Sequence, residues 1–462
     1  MFVNREIEIS RLQLALNQEK SQLVILYGRR RCGKSTLLKR IMDKSGVYFS
    51  ADMRETPLQI KAFSERIDKE VPGFSDPVYP GWDSVLRSLD RSLKNRITVC
   101  IDEFPYLVKN SPELSSILQN IHDSDAHSNF NLILCGSSQM MMHDMVLNRN
   151  APLYGRAGEI MKINPMTAFY LMKYLNVTAV EVVKEYSIWG GVPRYWEIRK
   201  TSESLDKALS YHVVNQYGLL ADEPERLFSD EIRTSVQAYT LLSLIGSGCH
   251  RLSEIASRMG KPSTHLSGVL ALLTELKYIR REIPFGESLR STKKTLYKID
   301  DHFLNFWFTF VVPEKSRIDL GLTSQVLEHI KKNLPSFIAS TWEDLCRKSV
   351  PFIIQEMEFK PASRWWGKAP DGTPVEIDVV AESIDSKTLL IGESKWSESV
   401  NITYEINDLK NKVAQLPFSQ GKRIMAALFL KYKPNSSPPG VMIFDPEDVV
   451  GAFGKRSGQD KR

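Results

Sequence analysis

Cysteine is scarce in this chain and scattered. Its five thiols, Cys32, Cys100, Cys135, Cys249 and Cys346, form no C-x-x-C pair. That excludes a disulfide framework or a cysteine-built zinc site and predicts small buried apolar groups in a reducing compartment. Long apolar runs are missing too. The longest, near Phe303 to Val312, is too short to cross a bilayer. The opening Met1-Phe2-Val3-Asn4-Arg5-Glu6 has no signal-peptide core. Both observations predict a cytoplasmic protein with no membrane partner. No internal repeat and no extended low-complexity segment is present, and only the tail, residues 451–462, reads as disordered. Neither charge sign dominates: the formal balance of +6 permits nucleic acid as a partner without demanding it.

What is present is enough for several cores. With 462 residues, 42% of them hydrophobic and 25% charged, the chain predicts two to four globular domains. Short apolar runs alternate with amphipathic stretches over residues 1–165: Leu23 to Tyr27, Val47 to Phe49, Ile97 to Ile101, Leu132 to Cys135 and Glu159 to Ile163. This alternation predicts a mostly parallel sheet covered by helices. Helical periodicity takes over in residues 166–230, predicting a helical lid on that domain. Residues 231–300 read as three helices and a β-hairpin, the pattern of a winged helix-turn-helix, with a break at Met259-Gly260-Lys261-Pro262 and Ser263 as an N-cap candidate. Arg258, Lys261, Lys277, Arg280, Arg281, Arg290, Lys293 and Lys294 make this the most basic segment. It suits phosphate contact, or simply a solvated surface. A helical linker over 301–335 and a further α/β domain over 336–450 complete the expected order.

The first chemical signature is Gly28-Arg29-Arg30-Arg31-Cys32-Gly33-Lys34-Ser35, a full G-x-x-x-x-G-K-[ST] between an apolar strand and the helical run carrying Leu37, Leu38, Ile41 and Met42. Glycines let the backbone wrap phosphate oxygens, successive N–H groups and the helix N-terminus supply positive charge, Lys34 reaches the β- and γ-phosphates, and the Ser35 hydroxyl ligates Mg²⁺. Gly28, Arg31, Cys32, Gly33, Lys34, Ser35 and Thr36 are therefore the expected contacts for ATP. The strand Ile97 to Ile101 ends in Asp102-Glu103. There Asp102 would hold Mg²⁺ and Glu103 would polarise the attacking water. Ser138, in the Ser137-Ser138 pair after the strand Asn131 to Gly136, would sense the γ-phosphate or simply cap the strand end. Arg156 would reach a neighbouring subunit's nucleotide in a homo-oligomer or form a surface ion pair.

Together these residues resemble the archaeal-type ATPase family within the AAA+/STAND branch of P-loop NTPases. The resemblance implies that Phe2-Val3-Asn4-Arg5-Glu6-Ile7-Glu8 packs beside the base and that Gly191-Val192-Pro193 is the element through which a lid senses adenine. Read without the family, Arg5 is a helix-start ion pair and Pro193 a helix breaker.

A second constellation lies near the C-terminus. Val375 to Ala381 and Leu389 to Trp396 read as two strands around an Asp385-Ser386 turn, so that residues whose numbers sum to about 771 face each other and Asp378 stands opposite Glu393. Glu393 and Lys395, two apart, share a face. Opposed like charges are destabilising unless neutralised, and a divalent metal held by Asp378 and Glu393 does that. The D…E-x-K spacing resembles the PD-(D/E)xK nuclease fold, with Glu343 as the additional helix-borne acid and Arg364-Trp365-Trp366-Gly367 before the aspartate strand. The resemblance implies a restriction-endonuclease-like α/β domain with Mg²⁺ activating water toward a phosphodiester. The fold also serves as a non-cleaving nucleic-acid module. The sequence thus predicts an ATP-driven switch over a nuclease-like domain that acts on nucleic acid, with DNA favoured; the alternative is a regulatory switch whose C-terminal domain only binds.

Overall fold

The structure is a computed structural model that describes residues 3–42, 46–123, 128–231, 235–288, 292, 294–369, 371–436 and 438–459. The chain forms two compact units, one built from residues 1–165 and 229–233, the other from 166–228 and 234–462.

The first unit is an α/β domain. Its strands are β1 (Leu23–Tyr27), β2 (Val47–Ser50), β3 (Ile97–Asp102), β4 (Phe130–Gly136) and β5 (Glu159–Lys162), all parallel in the order β2-β3-β4-β1-β5. Parallel strands covered on both faces need side chains that are apolar in both directions, which is why β1 and β4 read as continuous runs rather than alternating ones. All seven residues of β4 are buried. Ile25, Phe49, Val99, Ile101 and Leu134 pack against Phe63, Trp82 and Leu86 of the covering helices. Phe63 stands edge-on to both Phe49 and Trp82, at 5.4 and 5.6 Å; burying each such ring is worth roughly 1.5–3 kcal/mol. The strand order sets up the site. Because β4 runs between β1 and β3, whatever follows its end lies between the loop after β1 and the acids ending β3.

The second unit begins with helices Ala168–Leu175, Ala179–Trp189, Pro193–Lys200 and Leu205–His212 and the start of helix Glu223–Glu231, whose last residues group with the first unit. By their contacts the 166–228 helices group with the C-terminal part of the chain. Helices Ser235–Gly246 and Leu252–Arg258 follow, then a 3₁₀ turn Ser263–Leu266 running into Ser267–Glu275. The strands β6 (Ile279–Glu282) and β7 (Leu296–Ile299) then pair antiparallel, and Arg251 bridges to Leu296. A 31-residue helix, Thr323–Ile353, runs through the expected linker boundary at 335/336. Its Pro335 and Pro351 lie inside the helix and do not end it.

That helix packs on a mixed sheet of β8 (Ser363–Lys368), β9 (Pro374–Glu382), β10 (Thr388–Lys395), β11 (Arg423–Leu430) and β12 (Val441–Phe444), ordered β12-β11-β10-β9-β8. The β8, β9 and β10 pairings are antiparallel, and those of β10 with β11 and β11 with β12 are parallel. The parallel step from β10 to β11 needs a crossover, supplied by helix Ile402–Ala414. The tail expected to be disordered over 451–462 is helical through its described part, within Pro446–Gln459, and Val449, Val450, Ala452 and Phe453 are buried. Four apolar side chains at helical spacing give this segment a face to bury, which its polar end obscured in the sequence. Residues 460–462 lie outside the described residues.

Candidate functional site

The loop after β1 is shaped by positive φ at Gly28 (150°), Arg31 (68°) and Gly33 (88°). A side chain at Gly28 would run into the Ile163 carbonyl oxygen, 2.4 Å from an ideal Cβ, so only glycine fits where this loop leaves the sheet. The loop feeds helix Lys34–Met42, anchored in the core by Leu37 and Leu38, while Ser35 and Thr36 stay exposed at its N-terminus. Lys34 is buried and its ammonium donates to the carbonyls of Gly28 (2.8 Å) and Arg29 (3.1 Å), which fixes it over the loop.

Asp102, only 2% exposed, ends β3. Burial pushes its pKa up, but hydrogen bonds from the Ser35 hydroxyl, Tyr48, the Cys135 thiol and the Glu103 N–H outweigh that and hold the carboxyl below its ordinary range. Tyr48 donates at 2.5 Å; burial and the neighbouring Asp102 charge keep the phenol protonated as a donor. Ser35 and Asp102 thus meet at the mouth of the loop, one hydroxyl and one ionised carboxylate, a donor set that suits Mg²⁺ on a bound triphosphate. Glu103 sits at φ 55° in the left-handed region. Both its oxygens accept from the Ser137 hydroxyl (2.8 and 2.7 Å), and one accepts from the Ser137 N–H (3.3 Å).

At four further positions the structure shows which partners the side chains have. Ser138 takes the capping alternative, its hydroxyl accepting from the Met141 N–H at 3.4 Å, and Ser137 is the residue that contacts the acid. Arg5, 6% exposed, spends its guanidinium on Glu8 (2.7 Å), the Cys32 carbonyl (3.1 Å) and the Asn164 carbonyl (2.8 Å). It ties the first helix to the phosphate loop, the ion-pair alternative of the sequence reading. Arg156 forms the surface pair, with three contacts to Asp123 of 2.7–2.9 Å. Pro193 opens helix Pro193–Lys200, where a fixed φ and a missing N–H cost nothing, and belongs to the second unit.

In that unit the β9/β10 register pairs Leu389 with Glu382 and continues to Gly392 with Val379, one step before Asp378 and Glu393. Asp378 accepts from the Ser394 N–H (2.9 Å) and hydroxyl (3.1 Å). Glu393 is 3% exposed. Burial first and the Asp378 charge second push it up to about 8, against the opposing pull of Lys412 and Lys395. Glu343, on the long helix, is pushed up to about 7 by burial and by Asp378.

The lysines are arranged differently from the expectation. Lys412, from helix Ile402–Ala414, donates to Glu393 at 2.8 Å, whereas Lys395 pairs with Glu405 at 3.3 Å. Among the described residues no three His, Cys, Asp or Glu side chains converge as a metal-binding group. Glu393 is buried while Asp378 and Glu343 are half-buried, and burial together with the Asp378 charge pushes both glutamates up. Arg347, which no sequence motif flagged, donates to the Asp378 carbonyl (2.9 Å), pairs with Asp344 and lies 3.7 Å from Glu343. Asp344 pairs in turn with Arg280 of β6, which also holds Glu282 and Asp300. The basic segment is therefore partly spent inside the fold. Arg290 and Lys293 lie outside the described residues.

The first unit's parallel sheet, phosphate loop and paired acids define a P-loop NTPase domain of the α/β class. Residues 2–197 match a family described as an ATPase domain predominantly from Archaea, and residues 307–408 match one described as archaeal and bacterial proteins of unknown function. Residues 2–197 thus resemble an archaeal-type ATPase domain, which supports ATP binding and hydrolysis, and a C-terminal sheet domain follows. An uncharacterized protein of Methanocaldococcus jannaschii is 29% identical over 410 residues, covering 86% of this chain and 88% of that one. An uncharacterized ATP-binding protein of the same organism is 45% identical over 47 residues, 10% of this chain and 80% of its own. The solved Walker-type ATPase of Pyrococcus abyssi shares the fold at 21% identity and a TM-score of 0.51, over 66% of this chain and 96% of that one. Among the described residues no helix is long and apolar enough to cross a membrane.

Proposed function

We propose that this chain is an ATP-driven switch whose nucleotide domain controls a metal-dependent, nuclease-like C-terminal domain acting on nucleic acid. The observation that carries the second half is the β9/β10 register, which runs toward Asp378 opposite Glu393 with Glu343 close enough for its charge state to depend on Asp378. In this reading residues 231–300 are a winged helix-turn-helix and 336–450 a restriction-endonuclease-like domain. Pro193 belongs to the element that reports adenine occupancy.

Each side chain has a task. Lys34 leaves the Gly28 and Arg29 carbonyls for the phosphates, Ser35 and Asp102 hold Mg²⁺, and Glu103, oriented by Ser137, takes a proton from the attacking water. Asp378 and Glu393 would hold the second metal, which when bound lowers the pKa of its water and stabilises charge on a phosphodiester. Ser394 fixes the Asp378 carboxylate and Arg347 fixes its backbone. Lys412 donates to Glu393 and offsets part of the burial that raises it, and Lys395 orients toward the phosphate once it leaves Glu405.

The test is Mg²⁺- or Mn²⁺-dependent degradation of single- and double-stranded DNA and RNA by the parent chain and Asp378→Ala, with and without ATP. Cleavage that disappears in the variant supports the nuclease, and its ATP dependence gives the sign of the coupling. A second reading, a switch whose C-terminal domain grips nucleic acid without cutting, is favoured by the lysine arrangement, since Glu393 and Lys395 both have protein partners. It predicts binding with no cleavage under any condition.

A further inference from the structure

Asp102 has as many donors as it has places to accept them. An ionised carboxylate offers about four lone-pair sites. Four groups reach this one: the Tyr48 hydroxyl at 2.5 Å, the Glu103 N–H at 3.0 Å, the Cys135 thiol and the Ser35 hydroxyl. Three of them belong to the sheet. Tyr48 lies on β2, two positions before Ser50, which pairs with Asp102, so its phenol stands on the face of the acid and reaches along it. The Glu103 N–H follows β3 directly, and Cys135 lies on β4, one step beyond the pairing of Ile101 with Leu134. The fourth donor is placed differently. Ser35 is in the first turn of helix Lys34–Met42 and is exposed.

Packing alone does not call for a tyrosine at position 48. A phenylalanine would fill the same half-buried space, and its ring would lie equally well beneath Lys39, whose ammonium is 5.4 Å from the ring centre. What the tyrosine adds is an O–H, and the structure aims that O–H at Asp102.

We propose that Tyr48 is a positioning residue for the metal of the bound nucleotide. It pins the Asp102 carboxylate from the β2 side while Ser35, the one donor outside the sheet, turns from the acid and frees a lone pair. The Ser35 hydroxyl is then available as a ligand itself. Tyr48, the Glu103 N–H and Cys135 stay in place and hold the carboxylate plane at one angle, so the acid is oriented before a cation arrives. The inference rests on the reading of Ser35 and Asp102 as the Mg²⁺ ligands, and adds to it a residue outside both the phosphate loop and the paired acids.

The test measures binding of a fluorescent, non-hydrolysable ATP analogue to the full chain, first in EDTA and then across a Mg²⁺ series. In Tyr48→Phe the Mg²⁺ concentration at the midpoint should rise by at least about tenfold, the lower end of what a residue orienting a metal ligand contributes. Affinity in EDTA should stay within about twofold, because the phosphate loop is untouched. ATP turnover should divide in the same way, with the half-saturating Mg²⁺ raised and kcat restored at excess Mg²⁺. Cys135→Ala removes a weaker donor from the opposite side and should move the midpoint in the same direction by about two- to threefold. An unchanged midpoint in Tyr48→Phe, or in Cys135→Ala should the first variant not fold, would overturn the proposal. So would an equal loss of affinity in EDTA, since a tyrosine that only shapes the loop acts whether or not metal is present. A parent chain that binds the analogue with no response to Mg²⁺ would sink the ligand assignment itself, and this inference with it.

Discussion

Asp102 and Glu393 are both buried strand-end carboxylates, yet their surroundings drive them in opposite directions. Around Asp102 the protein supplies neutral donors, the Ser35 and Tyr48 hydroxyls, the Cys135 thiol and a backbone N–H, and the acid is held ionised. Around Glu393 it supplies another carboxylate and burial, relieved in part by Lys412, and the acid is pushed up to about 8. A site solvated by fixed dipoles holds its charge without a ligand. One assembled from like charges stores a demand for a cation. The nucleotide site is thus pre-formed by its own fold, while the C-terminal site would be completed by what it binds.

The widest break in this comparison comes from deleting one key side chain at each site. Lys34→Ala should abolish ATP binding in a calorimetric titration and leave any Mg²⁺-dependent cleavage chemistry at the C-terminal site intact in the absence of ATP. Asp378→Ala should reduce cleavage to background with ATP turnover unchanged. Tight ATP binding by the first variant undoes the phosphate-loop assignment; cleavage surviving in the second belongs to another site.

Next in size is the support beneath the C-terminal site. Arg347 is buried against Asp344 and the Asp378 carbonyl. Arg347→Met leaves Asp344 with one guanidinium instead of two and should cost about 3 kcal/mol, the scale of a broken buried pair. Denaturant unfolding measures it; a loss within 0.5 kcal/mol, the range of ordinary surface changes, would mean Arg347 is not structural. At the nucleotide site the corresponding probe is Glu103→Gln, which keeps the Ser137 contact and removes the base. Hydrolysis should fall by about 10²-fold while ATP affinity holds, the lower end of what a positioned base contributes. Undiminished turnover would assign water activation elsewhere.

The same contrast explains what could be read in advance. The five parallel strands were legible because burial on both faces forces apolar runs, and the β9/β10 register was legible because a tight turn at Ser386, with φ 60°, fixes which numbers face each other. Asp102 and Glu103 were legible because strand ends mark where acids can reach a phosphate. The partners were not. Nothing local distinguishes Ser137 from Ser138, since the choice depends on where Glu103 points after entering the left-handed region. Lys412 reaches Glu393 across 19 positions, and Arg280 reaches Asp344 across 64, so both depend on how helices pack on the sheet. A basic stretch reads as surface until its acids are placed.

The smallest expected effect concerns the network that absorbs Arg280. His302 is half-buried in the second unit, its ring 4.8 Å from that of Tyr186 and faced by Lys348, Asp344, Asp300 and Arg280. Burial first, then Lys348 and Arg280, lower its pKa to about 4 against the opposing pull of Asp344 and Asp300. In the unfolded chain the same imidazole titrates near 6.5. Between those values the unfolded state binds the extra proton, so His302 contributes stability above about pH 6.5 and withdraws it as pH falls toward 4. The Glu393 and Glu343 carboxyls oppose this trend, because their raised values favour the folded state as they become protonated. The histidine's share is therefore read by difference: His302→Phe keeps a ring against Tyr186 and removes the titration. Parent and variant should diverge by on the order of 1–2 kcal/mol between pH 7 and pH 5 in denaturant unfolding, the variant losing less on acidification. Parallel profiles would mean that the imidazole accepts its proton in place and that the Arg280 network reorganises around it.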